Sequence, residues 1–146
     1  MRDRVVVMHG VNLDTLGRRD PAHYGTLTLM ELEVHVGRYA DELGLTVSFF
    51  QTNHEGQFCE NLHRAGEEAD GLILNPGAWT HYSWAIHDAL EVAKLPAVEV
   101  HLSAVDARDE WRQLSVIRDL CLATVQGKGV EGYREALTVL AERLRA

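Results

Sequence analysis

The stretch that decides the fold reads Ala97-Val98-Glu99-Val100-His101-Leu102-Ser103. It follows Pro96 and is rich in apolar residues, so it predicts a short buried strand. Because successive strand side chains point to opposite faces, Glu99 and His101 are expected on the same side. A carboxylate two residues from an imidazole can hold one ring nitrogen and leave the other free for proton transfer. An isolated E-x-H is more often a strand end whose polar groups are satisfied by neighbours, so the rest of the chain has to decide.

Strand-like and helix-like segments alternate on both sides of this stretch. Further strands are predicted over residues 4–8, 45–50, 71–74 and 120–126. Apolar residues at helical spacing fill the segments between them. They predict helices around Leu32 and Val36, Phe58 and Leu62, Ile86 and Leu90, and Leu137 and Leu140, with a shorter one near residues 109–112.

Helix ends are marked by capping residues. Thr28 with Glu31 three residues later is a capping-box pattern, and Gly44 lies where that helix is expected to stop. Thr80 is predicted to cap the helix that carries Ile86.

Five strands that alternate with helices predict an α/β fold in which helices cover both faces of a parallel sheet. Right-handed crossovers leave few topologies. We therefore predict a flavodoxin-like three-layer sandwich with strand order 2-1-3-4-5, and residues 1–146 as a single domain.

Polar residues collect where the predicted strands end. Asn12 follows the first strand, Asn75 follows the third, and His101-Leu102-Ser103 end the fourth. Sheets of this kind bind ligands beyond the carboxyl ends of the strands, at the point where strand order reverses. We expect the functional site at this edge.

Composition excludes several classes of protein. The net charge of −8 argues against broad contact with nucleic acid, which requires a basic surface. No apolar run approaches the roughly 20 residues that span a membrane, so no membrane partner is expected. Cys59 and Cys121 do not make a disulfide framework, and the expected location is a reducing cytoplasm.

Two signals for other functions are weak. Gly127, Gly129 and Gly132 spell G-x-G-x-x-G, but the acidic residue about 20 positions later that a dinucleotide site needs is missing, so a tight turn is the preferred interpretation. The chain has neither H-E-x-x-H nor C-x-x-C, and the neighbourhood of His54 and His63 does not make a convincing metal site. We predict no metal.

Several short motifs are spread along nearly the whole chain. They are His9-Gly10-Val11-Asn12-Leu13 with Leu16-Gly17, Arg19-Asp20-Pro21, Tyr24-Gly25, Thr52-Asn53-His54-Glu55-Gly56, Asn75-Pro76-Gly77-Ala78-Trp79-Thr80-His81, Asp88-Ala89-Leu90, Glu99-Val100-His101-Leu102-Ser103, and Arg112. In this order and spacing the chain resembles the type II 3-dehydroquinate dehydratases. The resemblance implies a flavodoxin-like fold and a cofactor-free hydro-lyase of the shikimate or quinate pathway. Its reaction is the anti elimination of water from 3-dehydroquinate, through an enolate, to 3-dehydroshikimate. It also implies a homododecamer built from trimers.

The resemblance assigns roles to individual residues. Tyr24 matches the general base, Arg19 the lid arginine beside it, and Asn12 the residue that steadies the enolate through water. His101 matches the acid that protonates the departing hydroxyl, and Glu99 matches the carboxylate behind it. The substrate-binding positions are Asn75, His81, Asp88, Arg112 and the backbone of Leu102 and Ser103.

A tyrosine base makes an electrostatic demand. An ordinary tyrosine has a pKa near 10, so only about one in a thousand is ionised at pH 7. One cation in contact supplies about 1–3 of the roughly 3 units required. We therefore expect Arg19 to act with a second arginine.

The chain departs from the family pattern at several positions, among them His9, Val11, Trp79, Ala104, Gln113 and Leu114, together with Asp14, Thr15 and Asp106. Two alternatives stay open on this ground. One is a paralogue that acts on a modified, for example amino-substituted, dehydroquinate. The other is a flavodoxin-like binding module without catalysis.

Overall fold

A computed structural model describes residues 2–146 of the protein. Its sheet has five strands, which are β1 (Arg4–His9), β2 (Thr46–Gln51), β3 (Gly71–Asn75), β4 (Ala97–His101) and β5 (Ala123–Gln126). All neighbouring strands run parallel, in the order β2-β1-β3-β4-β5. The predicted flavodoxin-like strand order is confirmed.

Four helices lie where the periodicity predicts them, and a short fifth one lies in the connection after β1, where no helix was predicted. They are α1 (Pro21–Tyr24), α2 (Leu29–Glu42), α3 (Glu55–Glu68), α4 (Trp84–Ala93) and α5 (Glu131–Arg145). Short 3₁₀ turns lie at Leu13–Thr15, Gly77–His81, Val105–Ala107, Glu110–Gln113 and Arg118–Leu120. The connection from β4 to β5 is therefore irregular and holds three such turns, one of them where the sequence suggested a short helix near residues 109–112.

Helices cover the sheet on both faces and make two hydrophobic clusters. Val5 and Val7 of β1 face α2 and α5, whereas Val6 and Met8 face α3 and α4. Because successive side chains of a strand alternate between faces, a strand buried on both sides must be apolar throughout. The continuous run at the start of the chain meets this requirement.

Of the two predictions for helix N-termini, one is confirmed and one is wrong. Thr28 and Glu31 form the predicted capping box at the start of α2. The prediction for Thr80 is wrong, because Ser83 caps α4 by accepting the Ile86 N–H at 3.1 Å. Thr80 lies in the preceding 3₁₀ turn, where its hydroxyl donates to the buried carboxylate of Glu99.

The glycine-rich segment after β5 is a tight turn, as preferred from the sequence. Gly127 and Gly129 adopt φ of 76° and 57°, which an L side chain rarely adopts. Their amides donate to the carbonyls of Ser103 and Leu102 at 3.1 and 3.2 Å, so they do not form a phosphate cradle. The turn instead fixes the chain that leaves β4.

The register of the sheet brings the ends of its strands to one edge. His9 of β1 lies beside Asn75 of β3, and His101 of β4 lies beside Gln126 of β5. Strand order reverses at β1, so the loops that follow β1 and β3 diverge and leave a crevice there. Between residues 2 and 146, no helix is long and apolar enough to cross a membrane.

Candidate active site

A pocket opens at this carboxyl edge of the sheet. It is lined by residues from the loops after β1, β3 and β4, together with α1. The lining residues are Val11, Asn12, Leu13, Arg19, Tyr24, Asn75, Gly77, Ala78, His81, His101, Leu102, Ser103, Val105, Arg108 and Arg112. The structure therefore brings together most of the residues that the sequence singled out.

Glu99 and His101 form a buried pair on one face of β4, as the strand alternation predicts. Nε2 of His101 lies 2.6 Å from Oε2 of Glu99, and both side chains are almost completely buried. A carboxylate acceptor places the proton on Nε2, so Nδ1 is the ring nitrogen left to meet a ligand. This fixes the orientation of an imidazole that lines the pocket.

Glu99 also accepts hydrogen bonds from hydroxyl groups of three other segments. The Thr80 hydroxyl donates to Oε2 and the Ser115 hydroxyl to Oε1, the latter at 2.7 Å. Thr124 donates to Oε1 from 3.4 Å. Burial alone would raise the pKa of Glu99, but the hydrogen bonds from His101, Thr80 and Ser115 outweigh it, and the pKa lies below its ordinary value. A buried negative charge therefore stands behind His101.

Tyr24 lies between two guanidinium groups. Nη2 of Arg19 donates to its phenolic oxygen at 2.8 Å, and Nη1 of Arg108 donates to the same oxygen at 2.7 Å. The Arg19 guanidinium also stacks on the ring, with Cζ 3.7 Å from the centroid. Two cationic donors therefore converge on the phenolic oxygen.

Asn12 and Asn75 lie at the crevice between β1 and β3. Asn12 adopts a left-handed backbone with φ of 69°, and its N–H donates to Oδ1 of Asn53 at 2.8 Å. Oδ1 of Asn75 accepts the Gly77 N–H at 3.1 Å. Gly77 has to be glycine here, because its φ is +65° and a Cβ would lie 2.7 Å from the carbonyl oxygen of Val11.

His81 and Arg112 also line the pocket. Nδ1 of His81 donates to the Leu114 carbonyl at 2.7 Å, which leaves Nε2 for a ligand. Burial lowers the pKa of His81, so its ring is neutral at pH 7. Arg112 forms an ion pair with the exposed carboxylate of Asp109, whose Oδ2 lies 3.3 Å from the Arg112 Nε.

Two predicted site residues do not line the pocket: Glu99 is buried behind His101, which it contacts, whereas Asp88 contacts none of the lining residues. Asp88 lies on α4 with its side chain 76% exposed, and Oδ1 is 2.9 Å from Nδ1 of His87. His87, Asp88 and Glu91 bring their ligand atoms within 4.8 Å of one another. Exposed groups of this kind are common without an ion, so we assign no metal to them.

Sequence reasoning missed three residues that support the pocket. Arg108 lies in the same irregular segment as Arg112, and a search for the expected second arginine there would have found it. Thr80 was interpreted as a cap and Ser115 was not singled out. No local signal identifies them, because their partner Glu99 lies 19 and 16 residues away in sequence.

An open parallel sheet with two candidate proton-transfer groups at its carboxyl edge defines the class of protein. It is an α/β protein of the flavodoxin-like type with a pocket lined by titratable side chains at the topological switch point. Comparison with known proteins identifies the family within this class. Residues 3–141 match the family described as Dehydroquinase class II, and the chain belongs to that family.

Individual relatives extend over almost the whole chain. A protein of Pelobacter propionicus named 3-dehydroquinate dehydratase is 49% identical over 144 residues, which cover 98% of this chain and 97% of the relative. A 3-dehydroquinate dehydratase of Bacillus pumilus is 44% identical, with 92% of each chain covered. The solved structure of a type II dehydroquinase from Propionibacterium acnes superposes with a TM-score of 0.91 at 40% identity, covering 97% of this chain and 98% of that one.

Proposed function

We propose that this chain is a hydro-lyase that converts 3-dehydroquinate to 3-dehydroshikimate, as a single domain over residues 1–146. The reaction removes a proton and a hydroxyl group from adjacent carbons and releases water. The observation that carries the proposal is the pairing of Tyr24, held by two arginines, with the Glu99–His101 pair in one pocket. The family relationship supports the same reaction.

The chemistry requires a base on one side of the substrate ring and an acid on the other. Tyr24 as phenolate takes the C2 proton, and an enolate forms. Asn12 is proposed to steady the enolate oxygen through an ordered water, since a developing oxyanion needs a preorganised donor. Protonated His101 then gives a proton to the departing hydroxyl, and Glu99 stabilises the imidazolium meanwhile.

The remaining polar groups of the pocket are proposed to hold the substrate. Arg112 offers a forked donor that suits a carboxylate or vicinal hydroxyls. His81 through Nε2, Asn75 and the amides of Leu102 and Ser103 supply further hydrogen bonds. No metal or other cofactor enters this scheme, and the enzyme is expected to keep full activity after treatment with a chelator.

Asp88 fits this scheme only through a second copy of the chain. It lies outside the pocket of its own chain, on an exposed face of α4. If Asp88 takes part in substrate binding, as the family resemblance implies, it does so in the pocket of a neighbouring subunit. We therefore propose the homododecamer built from trimers, acting in the cytoplasm, and sedimentation analysis tests the assembly.

The ordinary substrate is favoured over a modified one by the placement of the atypical residues. Of His9, Val11, Trp79, Ala104, Gln113 and Leu114, all within the described chain, Val11 alone lines the pocket. Trp79 packs instead against Phe58 in the core, with ring centroids 5.7 Å apart. A comparison of kcat/KM on 3-dehydroquinate and on its amino analogue tests this choice.

The decisive experiment measures enone absorbance on 3-dehydroquinate with pure, chelator-treated protein. Tyr24→Phe is expected to lower kcat by at least about a thousandfold, because a phenyl ring cannot accept the proton. His23→Phe is a matched control on the same helix and should keep activity. Absence of turnover in the wild-type protein would refute the proposed function, and full activity of Tyr24→Phe would remove Tyr24 as the base.

A further inference from the structure

We propose that Asp106 and Gln126 form a clamp that positions Arg108 on Tyr24, and that both are positioning residues for the elimination. This inference rests on the proposed function, because it concerns the partner of the proposed base. Neither residue belongs to the motifs through which the family was recognised.

The clamp consists of two reciprocal hydrogen bonds. The backbone N–H of Asp106 donates to Oε1 of Gln126 at 3.0 Å, and Nε2 of Gln126 donates to Oδ2 of Asp106 at 3.0 Å. A pair of this kind fixes both distance and orientation, because each residue gives and receives one bond. Nη2 of Arg118 lies 3.5 Å from Oδ1 of Asp106 and adds a cation on the far side.

The clamp lies at the centre of the turn that presents Arg108. Asp106 is the middle residue of the 3₁₀ turn Val105–Ala107, and the N–H of Arg108 donates to the Val105 carbonyl at 3.2 Å. Both Asp106 and Arg108 therefore belong to one hydrogen-bonded turn. Anchoring Asp106 limits where the Arg108 guanidinium can reach.

Gln126 ties this turn to the strand next to the proposed acid. It is the last residue of β5, and its register partner on β4 is His101. The clamp thus ties the turn that precedes Arg108 to the β5 residue that lies beside His101.

Only one of the two arginines on Tyr24 needs such support. Arg19 lies five residues from Tyr24 and moves with it, whereas Arg108 reaches it from 84 residues away. The other cationic or titratable groups around the phenol are His23, whose ring lies 6.1 Å away, and the pocket residues His81, His101 and Arg112. Loss of the clamp is therefore expected to weaken the Arg108 contact specifically.

The test exchanges the two halves of the clamp. Gln126→Glu places two carboxylates opposite each other and breaks it without changing side-chain shape. Adding Asp106→Asn restores it, because the new amide donates to the new carboxylate, and the backbone N–H of residue 106 still has its acceptor. Asn61→Asp on α3 adds one negative charge elsewhere and is the matched control.

The readouts are the pH profile of kcat and the ultraviolet absorbance of phenolate, the latter with the signal of Tyr24→Phe subtracted. Exposed pairs of this kind are weak, so the expected effects are small. In Gln126→Glu, the rising limb of the kcat profile and the phenolate titration should both move to higher pH by about half a pH unit. At a pH on the acidic side of that limb, kcat should therefore fall about threefold. The double variant should return both to wild-type values, and Asn61→Asp should change neither.

Two results would overturn the clamp. One is an unchanged profile for Gln126→Glu. The other is a double variant that shows the sum of two losses, as independent structural damage would. If the wild-type protein does not turn over 3-dehydroquinate, the proposed function fails, but the phenolate titration still decides on the clamp.

Discussion

The hydroxyl groups around Glu99 allow a graded prediction of stability. We expect Thr80→Val and Ser115→Ala each to lower the free energy of unfolding by about 1.5–3 kcal/mol at pH 7, since each removes a hydrogen bond to a buried carboxylate. Thr124 donates from 3.4 Å, so Thr124→Val should cost about 0.5 kcal/mol or less. Urea denaturation followed by circular dichroism measures all three.

The pH dependence of these losses separates a charge effect from a packing effect. The pKa of Glu99 is held below its ordinary value, so its stabilising contribution is present above the unfolded-state value of about 4.3 and is lost as pH falls through the lowered folded value. Removal of a donor raises the folded pKa again. The difference between wild type and Thr80→Val should therefore shrink towards about 1 kcal/mol, the worth of a neutral hydrogen bond, as the pH approaches the acid transition.

The refuting results are specific. A loss that stays constant from pH 7 to the acid transition would mean that Thr80→Val disturbs packing and not the charged hydrogen bond. Equal losses for Thr80→Val and Thr124→Val would contradict the ranking by distance. Thr138→Val is the matched control, because the Thr138 hydroxyl donates only to a helix carbonyl on the surface.

Four further predictions concern other parts of the molecule. Full burial raises the pKa of Tyr133 to about 12, so stability is lost as pH rises from about 10 towards 12, and Tyr133→Phe should spare about 2 kcal/mol of that loss in urea titrations at pH 9 and 11.5. Gly10→Ala should lower the melting temperature at a cost of about 1–3 kcal/mol, since its Cβ would lie 2.3 Å from the Pro76 carbonyl oxygen. Gly56→Ala on α3 should instead raise the melting temperature, because between residues 2 and 146 no heavy atom lies within 4 Å of its Cβ apart from Gly56 itself, its two chain neighbours and its own helix backbone. Arg112→Lys should raise KM for 3-dehydroquinate about tenfold with a smaller change in kcat, since an ammonium cannot replace a forked donor.

The sheet could be predicted from the sequence because its signals are local. Val5, Val6 and Val7 form an uninterrupted apolar run, and such a run fits a strand buried on both faces. The capping box of Thr28 and Glu31 is equally local, as both partners lie within one turn of helix. The position of the ligand edge then follows from topology alone.

Other features depend on contacts that no local pattern contains. A threonine before a helix is a normal cap, but at Thr80 the buried carboxylate of Glu99 competes for the hydroxyl, and Ser83 caps the helix instead. Arg108 lies in a segment without periodicity, and its role depends on how the loop that carries Tyr24 folds back on it. The apolar run predicts that β5 begins at Leu120, but Leu120 ends a 3₁₀ turn and the strand begins three residues later, at Ala123.

The four-residue helix α1 has a consequence for the order of events in a catalytic cycle. None of its residues, all within the described chain, is buried, so lifting it exposes little apolar surface and costs little free energy. Arg19 would travel with Tyr24 during such a movement, while Arg108 would remain with the body of the protein. Opening to release product would therefore break the hydrogen bond from Arg108 to the Tyr24 hydroxyl, and the proposed base would meet both cations again only when the helix has returned over the next molecule of substrate.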